Sequence, residues 1–127
     1  MTTLFQARLA DLKDRMCDRE IDTALVTDDD NIYYLTGYYD YLHMDFGRPT
    51  IFVVHQHGPS LLITPQIDEN SARSLAYCDE ISSWNDGMGD EWRGKLPNLI
   101  QLSKTVGIET ERIPQIVLSY LLSLIHI

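Results

Sequence analysis

The sequence predicts an α/β domain in which a mixed β-sheet is flanked by helices on both faces. Three observations carry this expectation. Short apolar runs of strand length alternate with segments of helical period, in the order αβαββαβαβα. Two of the runs are joined by the turn chemistry Gln56-His57-Gly58-Pro59, so one hairpin interrupts the alternation and mixes antiparallel with parallel pairing. The composition, 44% apolar and 23% charged over 127 residues, suits a single globular domain with its own core and excludes a wholly disordered chain.

The elements follow in order. Phe5, Leu9, Leu12 and Met16 lie at i, i+4, i+7 and i+11, one stripe of a helix expected from near Leu4 to near Glu20, and Thr3 with Gln6 has the capping-box form. Residues 23–27 are a short buried strand. Asp30 or Asn31 is expected to cap a brief helix that Gly37 closes in the left-handed conformation. Residues 38–49 are aromatic-rich and irregular. Residues 50–55 and 60–64 are the two hairpin strands. Thr64-Pro65 is expected to open a helix running to about Ala76, with Thr64 as N-cap, Pro65 at the first position, and Asp68 and Glu69 in the first turn. Residues 80–84 form a weaker strand and residues 85–89 a glycine-containing loop. A third helix is expected over residues 90–103, although Gly94 and Pro97 fall inside it. Residues 105–109 are a strand, and the chain is helical from Pro114 onward, where Ile113, Ile116, Val117, Tyr120 and Leu121 are helically spaced.

Charge narrows the function. Ten Lys and Arg stand against 19 Asp and Glu, a net charge of −9 that phosphate backbones and anionic membranes repel. Neither nucleic acid nor a membrane is an expected partner. No run reaches the ~20 apolar residues of a membrane-spanning helix, and residues 1–8 lack the pattern of a secretory signal. Cys17 and Cys78 stand outside any C-x-x-C spacing, as expected of a reduced cytoplasmic protein, and Cys17 reads as a packing residue.

The sequence contains no self-sufficient catalytic motif. Asp28-Asp29-Asp30 lacks the glycine and glutamate an EF-hand loop requires, since positions 33 and 39 are both Tyr, and it reads as helix-capping chemistry. His55 and His57 share a strand face but have no carboxylate or thiol at ligand spacing, which reads as solvated turn histidines. Gly87-Met88-Gly89 lacks a third glycine, and Asp86 and Asp90 would repel a phosphate. The unusual stretch is residues 38–50, which gathers Tyr38, Tyr39, Tyr41, His43, Phe46 and Arg48 between two regular elements. Such a loop either folds back on its own core or covers a ligand or a partner subunit, and its one guanidinium suits a carboxylate.

Several stretches, in register, resemble the N-terminal domain of the creatinase/prolidase (Xaa-Pro aminopeptidase) family. They are the helix ending in Met16, Ile21-Asp22-Thr23-Ala24-Leu25-Val26-Thr27, Asn31-Ile32-Tyr33-Tyr34-Leu35-Thr36-Gly37, Leu61-Leu62-Ile63-Thr64-Pro65 and Val106-Gly107-Ile108-Glu109. The resemblance spans residues 4–121, and its most specific piece is the Asn-Ile-Tyr-Tyr-Leu-Thr-Gly stretch. It implies a domain with no catalytic residue and no cofactor of its own. In that family catalysis belongs to a following pita-bread domain, where two Asp, a His and two Glu hold two divalent ions (Mn, Co or Zn) in the peptidases. Creatinase itself works without metal. The N-terminal domain supplies homodimer contacts and walls the active site, and in creatinase-like members a Phe and an Arg approach the substrate carboxylate. Phe46 and Arg48 match those positions, with Tyr38 and His43 as neighbours on the same loop.

The resemblance thus implies the non-catalytic domain of a metal-dependent C–N hydrolase, an Xaa-Pro aminopeptidase or dipeptidase relative acting on small peptides. The alternatives are a creatinase-like or ectoine-hydrolase-like amidohydrolase and a non-enzymatic peptide-binding module. It also implies a chain that stops before its catalytic domain. On this reading residues 1–121 are the domain, incomplete at its C-terminal end. Residues 122–127, Leu-Ser-Leu-Ile-His-Ile, resemble the translation of a transposase adapter used in sequencing libraries, so they are expected to be a non-native tail and His126 carries no chemistry.

Overall fold

In a computed structural model the chain is described over residues 2–39, 50–84, 91–100, 103–109 and 113–123. Helix α1 (Thr2–Asp18) places the expected stripe inward, with Leu9 and Met16 buried and Phe5 and Leu12 partly so. It ends in a Schellman motif: the Ile21 amide donates to the Met16 carbonyl at 2.9 Å and the Glu20 amide to Cys17 at 3.2 Å. Glu20 therefore sits at φ 58°, the left-handed region that favours glycine. Glu20→Gly should raise stability by about 0.5–1 kcal/mol, a gain of about 2–4 °C in Tm by thermal melting.

Strands β1 (Thr23–Val26), β2 (Ile51–His55), β3 (Ser60–Pro65), β4 (Glu80–Trp84) and β5 (Val106–Ile108) form one sheet in the order β4-β3-β2-β1-β5. β1–β2 and β2–β3 are antiparallel, while β1–β5 and β3–β4 are parallel, the mixed sheet the hairpin predicted. β2 and β3 are almost wholly buried because helices cover both faces, so neither shows polar alternation.

Alternation sorts their side chains into two cores. Phe52, Val54 and Leu62 pack against Leu9 and Met16 of α1 and against Ile32 and Leu35 of α2 (Asp29–Thr36), with Ala72 of α3 (Glu69–Leu75) on the same side. Ile51, Val53, Leu61 and Ile63 pack on the other face against Trp84, Trp92 and Leu96, and against Val117 and Leu121 of α5 (Gln115–Ser123). Each fully buried aliphatic or aromatic residue contributes about 1.5–3 kcal/mol of transfer free energy, and both faces are needed to cover the sheet.

Three local expectations are corrected. Pro65 does not begin a helix: β3 runs through it, with Thr64 and Pro65 paired to Ser83 and Trp84, and a 3₁₀ turn (Gln66–Asp68) precedes α3. The strand partner decides this, because the Thr64 hydroxyl is buried and meets the Thr50 hydroxyl at 3.1 Å instead of capping. The third helix is split, as Gly94 and Pro97 foreshadow, into a 3₁₀ segment (Glu91–Lys95) and a short α4 (Leu96–Ile100). Cys17 is exposed on α1, off the packed stripe, so it is not a core residue.

Candidate functional site

The aromatic stretch is mounted between two buried anchors. At its start α2 closes on Gly37, at φ 80°, whose amide donates to the Tyr33 carbonyl at 2.8 Å. A Cβ on Gly37 would stand 3.0 Å from the Phe5 ring, so glycine is required both by the backbone angle and by the approach of α1. Tyr38 then turns inward and is fully buried. Its amide donates to Thr36 Oγ1 at 3.0 Å and its hydroxyl to the Asp68 carbonyl at 3.4 Å. At the far end Thr50 is buried against Thr64. Of the sequence-derived substrate contacts, Tyr38 is thus a core anchor of the loop's base, while His43, Phe46 and Arg48 lie outside the described residues, as do residues 85–90 of the glycine-containing loop.

Outside that anchor the surface is aromatic. Tyr33, Tyr34 and Tyr39 are each more than half exposed, and Tyr33 meets Tyr39 edge-on at 5.5 Å. Arg8 lies 4.0 Å above the Tyr34 ring, and Phe5 stacks on Tyr77 at 6.2 Å. Leu75, half exposed, carries the carbonyl that approaches Gly37.

The aspartate run is indeed at a helix start, but the N-cap position falls on Asp28 rather than on Asp30 or Asn31. Asp28 is the N-cap residue and makes no side-chain capping bond. The carboxylate of Glu109, just past β5, accepts from the amides of Thr27 at 2.6 Å and Asp28 at 2.8 Å and from the Asn31 side-chain amide. Asp22 does the same work at the opposite end of the β1–β5 pair, accepting from the amides of Lys104 at 2.7 Å and Thr105 at 3.1 Å. Sequence reasoning missed both, and the available signal was an acid directly flanking a short strand.

His55 Nδ1 lies 3.1 Å from Thr23 Oγ1, which in turn lies 2.7 Å from Ser103 Oγ. Burial, and then the Lys13 ammonium, hold the imidazole below its ordinary pKa of 6.5. A depressed imidazole pKa means the unfolded chain takes the proton more readily, so the fold loses stability as pH falls through the ordinary imidazole range. A cavity of about 480 Å³ opens beside it, with Asp22, His57, Asn98 and Leu99 on its wall. Burial, then Asp79, pushes the Cys78 thiol up to about 11, so it stays protonated at neutral pH and is a poor nucleophile and metal ligand. Among the described residues no three His, Cys, Asp or Glu side chains are grouped to hold a metal ion. No helix there is long and apolar enough to cross a membrane.

A mixed five-stranded sheet with packed helices on each of its two faces makes this an α/β domain. The chain belongs to the creatinase/prolidase N-terminal domain family, whose pattern it matches over residues 8–125. Among solved structures it is similar to the N-terminal domain of an X-Pro dipeptidase from Streptococcus pyogenes, with TM-score 0.78 and 18% identity over 92% of this chain and 86% of that one. It is also similar to a proline dipeptidase from Streptococcus pneumoniae, with TM-score 0.77 and 24% identity over 91% and 82% of the two chains. A dipeptidase from Pyrococcus horikoshii aligns with TM-score 0.73 and 24% identity over 91% of this chain but 31% of its own. At such identities the likeness is one of fold. No curated protein matches the sequence at a significant level.

Proposed function

We propose that this chain is the site-walling and dimer-forming domain of a metal-dependent C–N hydrolase that acts on Xaa-Pro peptides, and that it supplies no catalytic group itself. Membership of the family over nearly the whole chain is the observation that carries this reading. The side chains support it. Asp22 and Glu109 are committed to backbone amides and the Cys78 thiol is held protonated, so these groups do not fit a metal centre. Two divalent ions in a separate catalytic domain would activate water toward the amide. This domain's part is to present residues 38–50 from the rigid base of Tyr38 and Thr50, and to bury the aromatic face of Tyr33, Tyr34 and Tyr39 against that domain or a second subunit.

The experiment tests both halves. The isolated chain with Mn²⁺ or Co²⁺ should leave Xaa-Pro dipeptides untouched; turnover that disappears on mutating one of its residues would end the scaffold reading. In an enzyme carrying this domain with its catalytic domain, Arg48→Ala should remove one charge-assisted contact to the substrate carboxylate, of order 1.5–3 kcal/mol. That is about a tenfold to hundredfold loss in kcat/KM at unchanged metal content. Arg48→Lys should recover only part, because an ammonium cannot make the planar two-point contact. Unchanged kcat/KM beside a lowered Tm would retire the substrate-contact role and leave Arg48 as a pin for its own loop.

A further inference from the structure

Three lengths of chain meet at one end of the sheet, and an imidazole stands at their junction. β2 ends at His55, β1 begins at Thr23, and Ser103 lies just before β5. Their side chains are linked in series, His55 Nδ1 to Thr23 Oγ1 at 3.1 Å and Thr23 Oγ1 to Ser103 Oγ at 2.7 Å. Thr23 is fully buried, so its hydroxyl must find its partners within the fold. Backbone bonds tie the same place together. The Gln56 amide donates to the Asp22 carbonyl at 2.9 Å, and the Asp22 and Thr23 amides donate to the Thr105 carbonyl at 3.0 and 3.3 Å. β1 and β5 pair over three residues, so the bonds at either end carry much of their attachment.

The surroundings of the ring disfavour a charge on it. The turn after β2 folds back, with the Gly58 amide donating to the His55 carbonyl at 3.5 Å. That turn is pinned to α1 by Lys13, whose ammonium donates to the Gly58 carbonyl at 2.9 Å. Burial, and then this ammonium, lower the pKa of His55 from 6.5. The other titratable groups on the cavity beside the ring are His57 on the turn and Asp22 before β1. The Asp22 carboxylate is turned to the amides of Lys104 and Thr105. α4 contributes Asn98 and Leu99, neither of which ionises.

We propose that His55, Thr23 and Ser103 form a proton-operated latch on the junction of β2, β1 and the approach to β5. Neutral His55 accepts at Nδ1 and closes it, and a proton on that nitrogen opens it while the rest of the sheet stays folded. In the closed latch the hydrogen bonds run one way, from the Ser103 hydroxyl to Thr23 and from the Thr23 hydroxyl to the ring. A proton on Nδ1 makes that nitrogen a donor. Thr23 must then accept from the ring and swing its own proton to Ser103, whose proton loses its acceptor on Thr23. The reversed chain also sets a positive charge near Lys13 in a half-buried site. Opening relieves both costs by giving the ring to water. The ring takes its proton more readily in the open state, so opening increases as pH falls through 6.5, by at most about tenfold per pH unit. The latch is independent of the hydrolase reading.

The test is amide hydrogen exchange of the full chain at about pH 7.5 and 5.5, corrected for intrinsic rates, with the His55 ring followed by nitrogen NMR. At the higher pH the ring should carry its proton on Nε2. Protection of the Thr23 and Thr105 amides should fall about threefold to tenfold at the lower pH. Exchange at these amides should not accelerate in about 1 M urea, whereas exchange at Val53 should, because a local opening exposes little surface. His55→Gln should hold the change with pH below about twofold. Lys13→Gln should raise the His55 titration midpoint and move the loss of protection to higher pH with it. A proton on Nδ1 of the neutral ring, a fall in protection that survives His55→Gln, an unmoved midpoint in Lys13→Gln, or equal urea dependence at Thr105 and Val53 would overturn the proposal.

Discussion

Trp92→Ala should cost about 3–5 kcal/mol of stability, the largest effect expected from a single truncation in the described core. Trp92 is fully buried on the face of the sheet covered by α4 and α5, with Tyr120 edge-on at 5.8 Å and the Arg93 guanidinium 5.0 Å from its ring. Removing it empties the space between Leu96, Val117 and the sheet, all rigid neighbours that close a cavity only in part. For a chain of 127 residues the Tm should fall by roughly 10–18 °C. Trp92→Phe separates volume from polarity. The indole N–H of Trp92 is buried with no hydrogen-bond partner among the described residues, so phenylalanine removes an unsatisfied donor while keeping most of the ring. Its stability should stay within about 1.5 kcal/mol of the parent. A loss from Trp92→Ala below about 1 kcal/mol in urea titration would mean that this face is not the packed core described.

Glu109→Ala should cost about 2–4 kcal/mol, although Glu109 is a polar residue near the surface. Its carboxylate accepts from the Thr27 and Asp28 amides and the Asn31 side chain, and a hydrogen bond to a charged group contributes about 1.5–3 kcal/mol before solvent competes for it. The result should be a Tm lower by roughly 7–15 °C, with the loss of exchange protection concentrated at the start of α2. Glu109→Gln keeps one acceptor without the charge and should show an intermediate loss. If Glu109→Ala melts like the parent, the carboxylate is a spectator and water does the capping.

Much of the fold was legible because it is locally encoded. The α1 stripe, the hairpin at residues 56–59 and the left-handed Gly37 are decided by residues within a turn or two of one another, and the element order follows from them. The misreadings occur where a distant partner overrides local chemistry. Thr64-Pro65 has the form of a helix start, but β4 claims it for a strand. The aspartates have the form of caps, but a glutamate some 80 residues away does the capping. Of the site, the aromatic stretch was visible as composition, whereas the inward turn of Tyr38 depends on Asp68 of the 3₁₀ turn and could not be read from its neighbours.

That pairing governs the order in which the domain is made. β1 leaves synthesis early, yet Thr23, Ala24 and Leu25 pair with Val106, Gly107 and Ile108, and the amide of Thr27 meets an acceptor 82 residues downstream. The hairpin of β2 and β3 closes a short loop and can zip first; β1 can join it on one side. Its other side stays an unpaired strand edge until the ribosome has delivered residues 103–109, several seconds later at about 5–20 residues per second. During that interval the nascent chain carries a sticky margin at its centre rather than at its rim. High contact order of this kind slows folding and raises the demand for a chaperone, and the shield for β1 arrives only when Glu109 docks onto the start of α2.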